Sequence, residues 1–384
     1  MNYYQLSANS RQQLRQILRN LTKYNLTYSS CYQLEQQFHI LAAAEHIIPN
    51  LGFFLPSLNP LTKLNTPLAT LWQWAQSELQ QDINWLKLEN SASIGLNCAY
   101  LIQHQIKISR SFLPLTELML IINQTPDSFS DGGKFYQQLD KALASIEQAL
   151  IAGVSIIDIG AESTRPDASY LSSTAEIKRL QDTINGINEL KSRYQFKLSL
   201  DSYKPSTIQH FLPLIDIVND VSANLPAECL TQISAENKTY LFMHSLSVPA
   251  DPKLTLDAEL NPLDELNNWQ QKQLERLSKL GFKPTQLISD PGIGFNKTMH
   301  QSWYLLKHIA KLHQNDLELL VGHSRKRFLN KVNCAIDGAN RDNESAQIAC
   351  YLATQGVDYV RLHNYQTYHQ QVMSLNQLEN NFNN

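Results

Sequence analysis

The chain has 384 residues, of which 43% are hydrophobic, so a sizeable core can be buried in one large domain with a smaller one beside it. The formal net charge of -3 at pH 7 gives no electrostatic reason to expect a nucleic-acid partner. No apolar run approaches the roughly 20 residues that a membrane span needs, so we expect no membrane association. The five cysteines are scattered, which is typical of free thiols in a reducing compartment and predicts a cytoplasmic protein.

Residues 1–113 differ in composition from the rest and form a predicted N-terminal extension. They are rich in Leu, Gln and Asn, with early helical periodicity. Over residues 9–23 basic side chains accompany an apolar helical face, which favours an ordinary amphipathic helix; an organellar transit peptide is the alternative. We expect a smaller, mainly helical segment, and no motif in it indicates a function.

From residue 118 onward, short apolar runs rich in β-branched residues alternate with longer helical patterns. The predicted strands cover residues 118–123, 155–160, 197–201, 215–219, 239–243, 286–290, 317–322 and 358–362. Helical patterns lie between them, for example at 135–152, 174–193, 263–280, 302–313 and 344–355. Such alternation predicts a parallel sheet, and eight units match a closed (β/α)8 TIM barrel, whose usual size is about 250 residues. We therefore predict a barrel over residues 114–384, with a doubly wound open sheet as the runner-up.

Every predicted strand is followed by polar or charged residues. In a barrel these strand ends open onto one face, where active sites lie. One of these residues, such as Asp220, can be a cap or a satisfied core group, but eight ends are harder to explain because buried polar groups are costly unless paired or used. The residues are Asn123, Asp158, Glu162, Asp201, Asn219, Asp220, His244, Asp290, His323, Ser324, Arg325, Lys326, Arg361 and His363.

Five motifs within the predicted barrel resemble the signatures of a known family. Residues 122–133 read INQTPDSFSDGG, residues 157–166 read IDIGAESTRP and residues 290–298 read DPGIGFNKT. GHSRK follows at 322–326 and RLH at 361–363. In this order they closely resemble the dihydropteroate synthase family. The resemblance implies a folate-biosynthesis transferase that condenses 6-hydroxymethyl-7,8-dihydropterin pyrophosphate with p-aminobenzoate to give dihydropteroate and pyrophosphate, and that sulfonamides inhibit.

Three strand ends carry residues that suit a pterin. A pterin presents N–H donors beside a carbonyl, and carboxylates with an amide at fixed depth can bind that edge. Asp201, Asn219 and Asp290 supply this set, and in the family the matching positions hold the pterin. Lys326 matches a lysine that contacts the pterin and the p-aminobenzoate side. The alternatives are a helix cap for Asp201 and a turn residue for Asp290.

The last predicted strand ends in a pair that suits a polyanion. Arg361 and His363 are two residues apart, so their side chains point the same way. The resemblance implies that both bind the pyrophosphate together with Asn123, which also helps to hold Mg²⁺. Thr164 and Arg165 match residues of the family's p-aminobenzoate pocket. The residues that we expect to take part in catalysis are Asp201, Asp290, Lys326 and Arg361.

Several positions depart from the family pattern. Asp167 stands where a glycine is usual and adds a negative charge near the expected p-aminobenzoate carboxylate. Residues 243–247 read MHSLS, so the glutamine usual after the fifth strand is missing. Arg327 stands where serine is frequent, and Asn364 where aspartate is usual. We therefore expect activity, with the selectivity for the aromatic amine left open.

Two other functions remain possible on these motifs. A methyltransferase that uses methyltetrahydrofolate shares the pterin-binding set, but it does not explain the loop at 125–133 or the GHSRK run. A catalytically weakened homologue that binds pterin and acts through a partner is motivated by the missing glutamine and Asp167. The expected partners are the two small-molecule substrates, Mg²⁺ and, because family members are commonly dimers, a second copy of the chain.

Overall fold

The structure is a computed structural model of the chain. It describes residues 2–8, 28–34, 37–43, 84–87, 116–125, 139–162, 170–251, 253–315, 317–331 and 341–380. The chain divides into two compact units, one of Met1–Leu115 with Gln370–Asn384 and the other of Thr116–His369. The boundary between residues 113 and 114 that the sequence suggests stays a prediction.

The first unit contains a four-stranded antiparallel sheet. Its strands are β1 (Asn2–Ala8), β2 (Tyr28–Leu34), β3 (Gln37–Ala43) and β4 (Asn84–Lys87), in the order β2-β3-β1-β4. On β1, one of the two inner strands, Tyr4 lies opposite Ala42 of β3 on one side and Trp85 of β4 on the other. The sequence analysis did not predict these strands, because short apolar runs fit a strand and a buried helix equally well. The predicted helix at 9–23 lies outside the described residues.

The second unit is a closed barrel of eight parallel strands. The strands are β5 (Glu117–Asn123), β6 (Ile156–Gly160), β7 (Lys197–Asp201), β8 (Ile217–Asp220), β9 (Thr239–Met243), β10 (Leu287–Asp290), β11 (Glu318–Val321) and β12 (Tyr359–Leu362). Each pairs in parallel with the next, and β12 pairs with β5 to close the barrel. Every strand overlaps its predicted counterpart, so the (β/α)8 prediction is confirmed and the open sheet is excluded.

A helix follows each barrel strand. They are α1 (Leu139–Ile151), α2 (Ser173–Leu190), α3 (Pro205–Phe211), α4 (Ala227–Ala235), α5 (Pro262–Lys279), α6 (Met299–Lys307), α7 (Asp342–Thr354) and α8 (Tyr365–Asn380). Local sequence fixes their starts: the Ser172 side chain caps α2, and Thr298 with Gln301 forms a capping box at α6. Among the described residues, no helix is long and apolar enough to cross a bilayer.

An apolar floor closes the lower part of the barrel. Its members are buried side chains, all at most 4% exposed, one from each of seven barrel strands. They are Met119, Ile156, Ile217, Leu241, Ile288, Leu320 and Tyr359. Because strand side chains alternate with a period of two, the residue two positions further along each strand points the same way. The floor therefore dictates which side chains line the barrel directly above it.

Candidate active site

A polar layer lies two residues beyond the apolar floor. Asp158 follows Ile156 at this spacing, and Asn219, Asp290 and Arg361 follow their floor residues in the same way. On β7, Asp201 is the register partner of Asn219 on β8, which places it at the same level. These side chains come from strands rather than loops, so the barrel register positions them. The carboxyl ends of the strands thus form one polar mouth.

Arg361 connects three strands across this mouth. Its Nε donates to Asp158 Oδ2 and its Nη2 donates to Asp201 Oδ2, both at 2.6 Å. The two Asp158 oxygens also lie 3.3 and 3.2 Å from Nδ2 of Asn219, which donates to them. The Asp158 side chain is fully buried, whereas that of Arg361 is 21% exposed. Asp158 therefore orients both the guanidinium and the amide.

Burial and ion pairing shift the pKa values of Asp201 and Arg361 in opposite directions. Burial raises the pKa of Asp201 to about 7, although the charge of Arg361 opposes the shift. Burial also disfavours the charged guanidinium, but Asp158 and Asp201 outweigh it and raise the pKa of Arg361. The guanidinium stays charged, and Asp201 is the group that titrates near neutral pH.

Asp290 and Lys326 form the second half of the mouth. Burial raises the pKa of Asp290, with Lys326 opposing, and burial lowers the pKa of Lys326 to about 8, with Asp290 opposing. The Lys326 ammonium donates to the carbonyl of Ile293 and lies 4.4 Å from the centre of the Phe295 ring. A Cβ at Gly322 would lie 3.3 Å from Asp290 Oδ2, so this position leaves little room for a side chain.

The turn after β10 contains Gly292 and packs against His244, the residue that follows β9. Gly292 has φ +65°, and a Cβ there would lie 2.0 Å from the His244 carbonyl oxygen, so only glycine fits. Its N–H donates to Asp290 Oδ1 at 2.7 Å and fixes that carboxylate. Lys297 Nζ lies 3.0 Å from His244 Nδ1. Burial lowers the pKa of His244 to about 3, with Lys297 adding to the shift, so the imidazole is neutral.

A buried ion pair lies just beyond the end of β6. Lys204 pairs with Glu162 and lies 3.4 Å from Glu176 Oε1. The side chains of Lys204 and Glu162 are only 5% and 8% exposed. Glu162 Oε1 accepts the N–H of Leu171 at 3.1 Å and the hydroxyl of Tyr203 at 3.2 Å. The sequence analysis noted Glu162 as a strand end but missed Lys204, whose position between β7 and the proline of α3 was the available signal.

Two further predicted residues, His363 and Asn123, lie at the rim of the mouth, where β12 and β5 end. His363 Nδ1 is 3.0 Å from Ser324 Oγ, which ties the end of β12 to the loop that carries Lys326. Asn123 ends β5, beside Gly160 of β6. Within the described residues, no hydrogen bond ties the Asn123 side chain to the acids. Thr164 and Arg165 lie outside the described residues.

The structure thus gathers most, but not all, of the predicted site residues. Five of them lie around the mouth of the barrel, and a sixth, His363, reaches it through Ser324. The five are Asp201, Asn219, Asp290, Lys326 and Arg361. The sequence analysis placed Asp158 among the strand ends of this face but assigned it no role in the site.

The Asp220 carboxylate is buried and hydrogen-bonded by its neighbours, as expected for the satisfied core group that the sequence analysis suggested. Its Oδ1 accepts the backbone N–H of Ser222 at 2.8 Å and that residue's hydroxyl at 2.6 Å. Its Oδ2 accepts the hydroxyl of Tyr240 at 2.7 Å. These bonds satisfy the carboxylate without any of the proposed site residues, so Asp220 serves as a control position for the contacts of Arg361.

The oxygen donors at the mouth suit Mg²⁺ only in part. In the part of the chain that the structure describes, no three His, Cys, Asp or Glu side chains are grouped as a metal site. Mg²⁺ is often held by one or two protein oxygens with substrate phosphates and waters completing the octahedron. The amide oxygen of Asn123 at the rim fits only such a substrate-completed ion.

Comparison with known proteins gives the family. The family model described as "Pterin binding enzyme" matches residues 119–363. The folate synthesis bifunctional protein of Chlamydia muridarum is 35% identical over 260 residues, which is 66% of this chain, and the chain spans only 57% of that relative's length. The dihydropteroate synthase of Streptococcus pyogenes serotype M3 is 35% identical over 268 residues, covering 68% of this chain and 95% of that protein.

A solved structure gives the same answer. The dihydropteroate synthase of Yersinia pestis, crystallised in complex with a sulfonamide drug, superposes with a TM-score of 0.61 at 29% identity. The match covers 69% of this chain and 94% of that one. With its polar mouth formed by the motif residues of the barrel, the chain belongs to the dihydropteroate synthase family of pterin binding enzymes.

Proposed function

We propose that this chain is a dihydropteroate synthase, a transferase that condenses 6-hydroxymethyl-7,8-dihydropterin pyrophosphate with p-aminobenzoate in folate biosynthesis. The observation that carries the proposal is the mouth of the barrel, where acids and cations from strands far apart in sequence meet. Asp201, which is partly exposed, and Asp290, which is buried, supply acceptors, while Lys326 and Arg361 supply cations beside them. A substrate with a donor-rich heterocycle and a polyanionic leaving group needs both kinds of group.

The pterin is assigned to the acids. Asp201 and Asn219 are paired on neighbouring strands, and Asp290 ends β10 at the same mouth. Together they can accept from and donate to the flat edge of the ring. Lys326, which already lies against the ring of Phe295, is positioned to contact the pterin and the aromatic amine. Thr164 and Arg165 are proposed for the p-aminobenzoate pocket.

The pyrophosphate is assigned to Arg361, His363 and Asn123 at the rim. When bound, Mg²⁺ neutralises part of the charge on the pyrophosphate oxygens, and the Asn123 amide oxygen is the protein group proposed to hold it. Arg361 adds a fixed cation that needs no reorganisation, because Asp158 holds its Nε at 2.6 Å.

The reaction follows as a dissociative substitution. The bond between the pterin methylene carbon and the pyrophosphate oxygen breaks, and the electron pair leaves with pyrophosphate, which Arg361 and His363 stabilise. The methylene becomes cationic, and the ionised Asp201 and Asp290 stabilise it. The lone pair of the aryl amine then forms the new C–N bond. The resulting aryl ammonium loses its proton to solvent, so no strong general base is needed.

A pyrophosphate-release assay tests the proposal. We expect sustained turnover that requires the pterin pyrophosphate, p-aminobenzoate and Mg²⁺, with dihydropteroate as the product. Asp201→Asn should lower kcat/KM by at least about 10²-fold, the usual effect of losing one electrostatic contact to the transition state. Asp220→Asn is the matched control and should stay near the wild-type value. Turnover of Asp201→Asn like that of the control would remove this aspartate from the mechanism.

One observation keeps a second function in view. In the segment after β9, where the family has its glutamine, Leu246 is 45% exposed and its N–H donates to Asn296 Oδ1 at 2.9 Å. A side chain usual for pterin binding is therefore replaced, which favours a weakened homologue that binds pterin and acts through a partner. Tight pterin binding without product would support this alternative. Competition by a sulfonamide against p-aminobenzoate would instead support a working amine pocket.

A cytoplasmic location and a homodimer complete the proposal. The first rests on the scattered cysteines, of which Cys229 and Cys350 are buried. The second rests on the resemblance to a family whose members are commonly dimers. Light scattering on the purified chain measures its mass in solution, and a value of one chain at micromolar concentration would contradict the dimer.

A further inference from the structure

The turn that precedes Lys326 has an unfavourable backbone conformation. Arg325 has φ +59°, a left-handed value that side chains with a Cβ adopt reluctantly. Its guanidinium forms a bidentate ion pair with Asp342 at the start of α7, with Nε–Oδ1 2.6 Å and Nη2–Oδ2 2.8 Å. These side chains are only 9% and 13% exposed. The ion pair therefore fixes a turn that would not form readily by itself.

The same carboxylate also holds the end of β12. Asn364 Nδ2 donates to Asp342 Oδ2 at 2.8 Å. Asn364 directly follows His363, and Arg325 directly precedes Lys326. One side chain on α7 thus contacts the neighbours of two proposed substrate-binding residues.

The backbone of the turn is held from the same helix start. Arg325 N–H donates to Ser345 Oγ at 3.1 Å, and Arg341 Nη1 donates to the Arg325 carbonyl at 2.8 Å. These bonds fix where the turn lies. Asp342 adds the charge that matches the buried guanidinium and the link to Asn364, which the backbone bonds do not supply.

We propose that Asp342 is a positioning residue of the active site, because its one carboxylate sets the relative placement of Lys326 and His363. This inference rests on the proposed function, in which those two residues bind the pterin and the pyrophosphate. Asp342 does not touch the substrate. It acts through Arg325 and Asn364.

The geometry provides an exchange experiment. Arg325 Nη2 and Asn364 Nδ2 both lie 2.8 Å from Asp342 Oδ2, so they are neighbours around one oxygen. In Asp342→Asn the ion pair is lost. In the double variant Asp342→Asn with Asn364→Asp, the carboxylate returns from the other side of the same contact, next to the guanidinium.

The readouts are KM and kcat for the pterin pyrophosphate and its equilibrium Kd. For Asp342→Asn we expect KM and Kd to rise about tenfold or more, since small displacements of substrate-binding groups have effects of this size or larger. A simple loss of folded protein would lower kcat and leave KM unchanged. The double variant should return to within about threefold of wild type. Asp342→Asn with an unchanged KM, or a double variant no better than the single one, would overturn the proposal.

Asp216→Asn is the control for stability alone. Asp216 pairs with Lys191 at 2.7 Å and accepts the N–H of Leu198 at 2.8 Å, near the amino ends of the strands and away from the mouth. We expect a lower melting temperature with an unchanged KM. A wild-type chain that binds the pterin pyrophosphate without turnover would refute the proposed function, yet the Kd comparison would still decide the role of Asp342.

Discussion

Asp158 is the buried acid on which the arrangement of Arg361 depends, and Asp158→Asn is the most direct perturbation of the site. The substitution keeps the size of the side chain, so it creates no cavity. It removes the charge that Arg361 Nε faces at 2.6 Å. The new amide would also have to present one atom to two donors, the guanidinium and Nδ2 of Asn219.

The expected size of the effect follows from the contacts. Removing one partner of a buried ion pair costs about 3–5 kcal/mol, because the other charge stays buried. Arg361 keeps Asp201 at 2.6 Å, so we take the lower end, about 3 kcal/mol. One factor of ten corresponds to about 1.4 kcal/mol, so a loss of that size from the transition state lowers kcat/KM by about 10²-fold.

Two measurements separate folding from function. Urea unfolding should show the free energy of unfolding lowered by about 3 kcal/mol. Steady-state kinetics should show kcat/KM for the pterin pyrophosphate lowered about 10²-fold for the folded variant. Asp220→Asn alters another buried carboxylate, on β8, that does not hydrogen-bond to Arg361, and it should keep kcat/KM within about threefold. Equal kinetics for Asp158→Asn and this control would refute the reasoning.

Three further outcomes are expected. The pH profile of kcat/KM should rise near pH 7 and fall near pH 8, because Asp201, with a pKa of about 7, must be ionised and Lys326, with a pKa of about 8, must be charged. Lys326→Arg should shift the alkaline fall to higher pH, and a flat profile would contradict this assignment. Gly322→Val should weaken pterin binding, measured by calorimetry, about tenfold, because even a Cβ at this position would lie 3.3 Å from Asp290 Oδ2. An unchanged affinity would contradict the placement of the pterin beside Asp290. Lys204→Met should lower the free energy of unfolding in urea by about 3 kcal/mol, and adding Glu162→Gln should recover part of that loss. A double variant no more stable than Lys204→Met would contradict a stabilising role for this ion pair.

The barrel was predictable because local pattern and global fold agree. Each β-branched run is followed by a polar end and a helical pattern, and each predicted strand overlaps an observed one. Asp201, Asn219 and Asp290 were predictable in the same way, since carboxyl ends of barrel strands share a face.

The pairing of the side chains was not predictable to the same extent. Asp158 was identified as a strand end, but its contact with Arg361 depends on how the last strand closes against the first. The strands β1–β4 were missed because their apolar runs are too short to distinguish strand from helix. The contact between Asp342 and Asn364 depends on the placement of a helix start that the pattern located only to within a few residues.

The closure of the barrel by β12 also determines when the site forms during synthesis. Arg361 is 203 positions from Asp158 and 160 positions from Asp201, and both acids leave the ribosome long before it does. Until the last strand emerges, these carboxylates have no guanidinium to bind and must stay hydrated. A nascent chain that ends before β12 therefore cannot form these ion pairs, and the site is complete only after the final strand has been made.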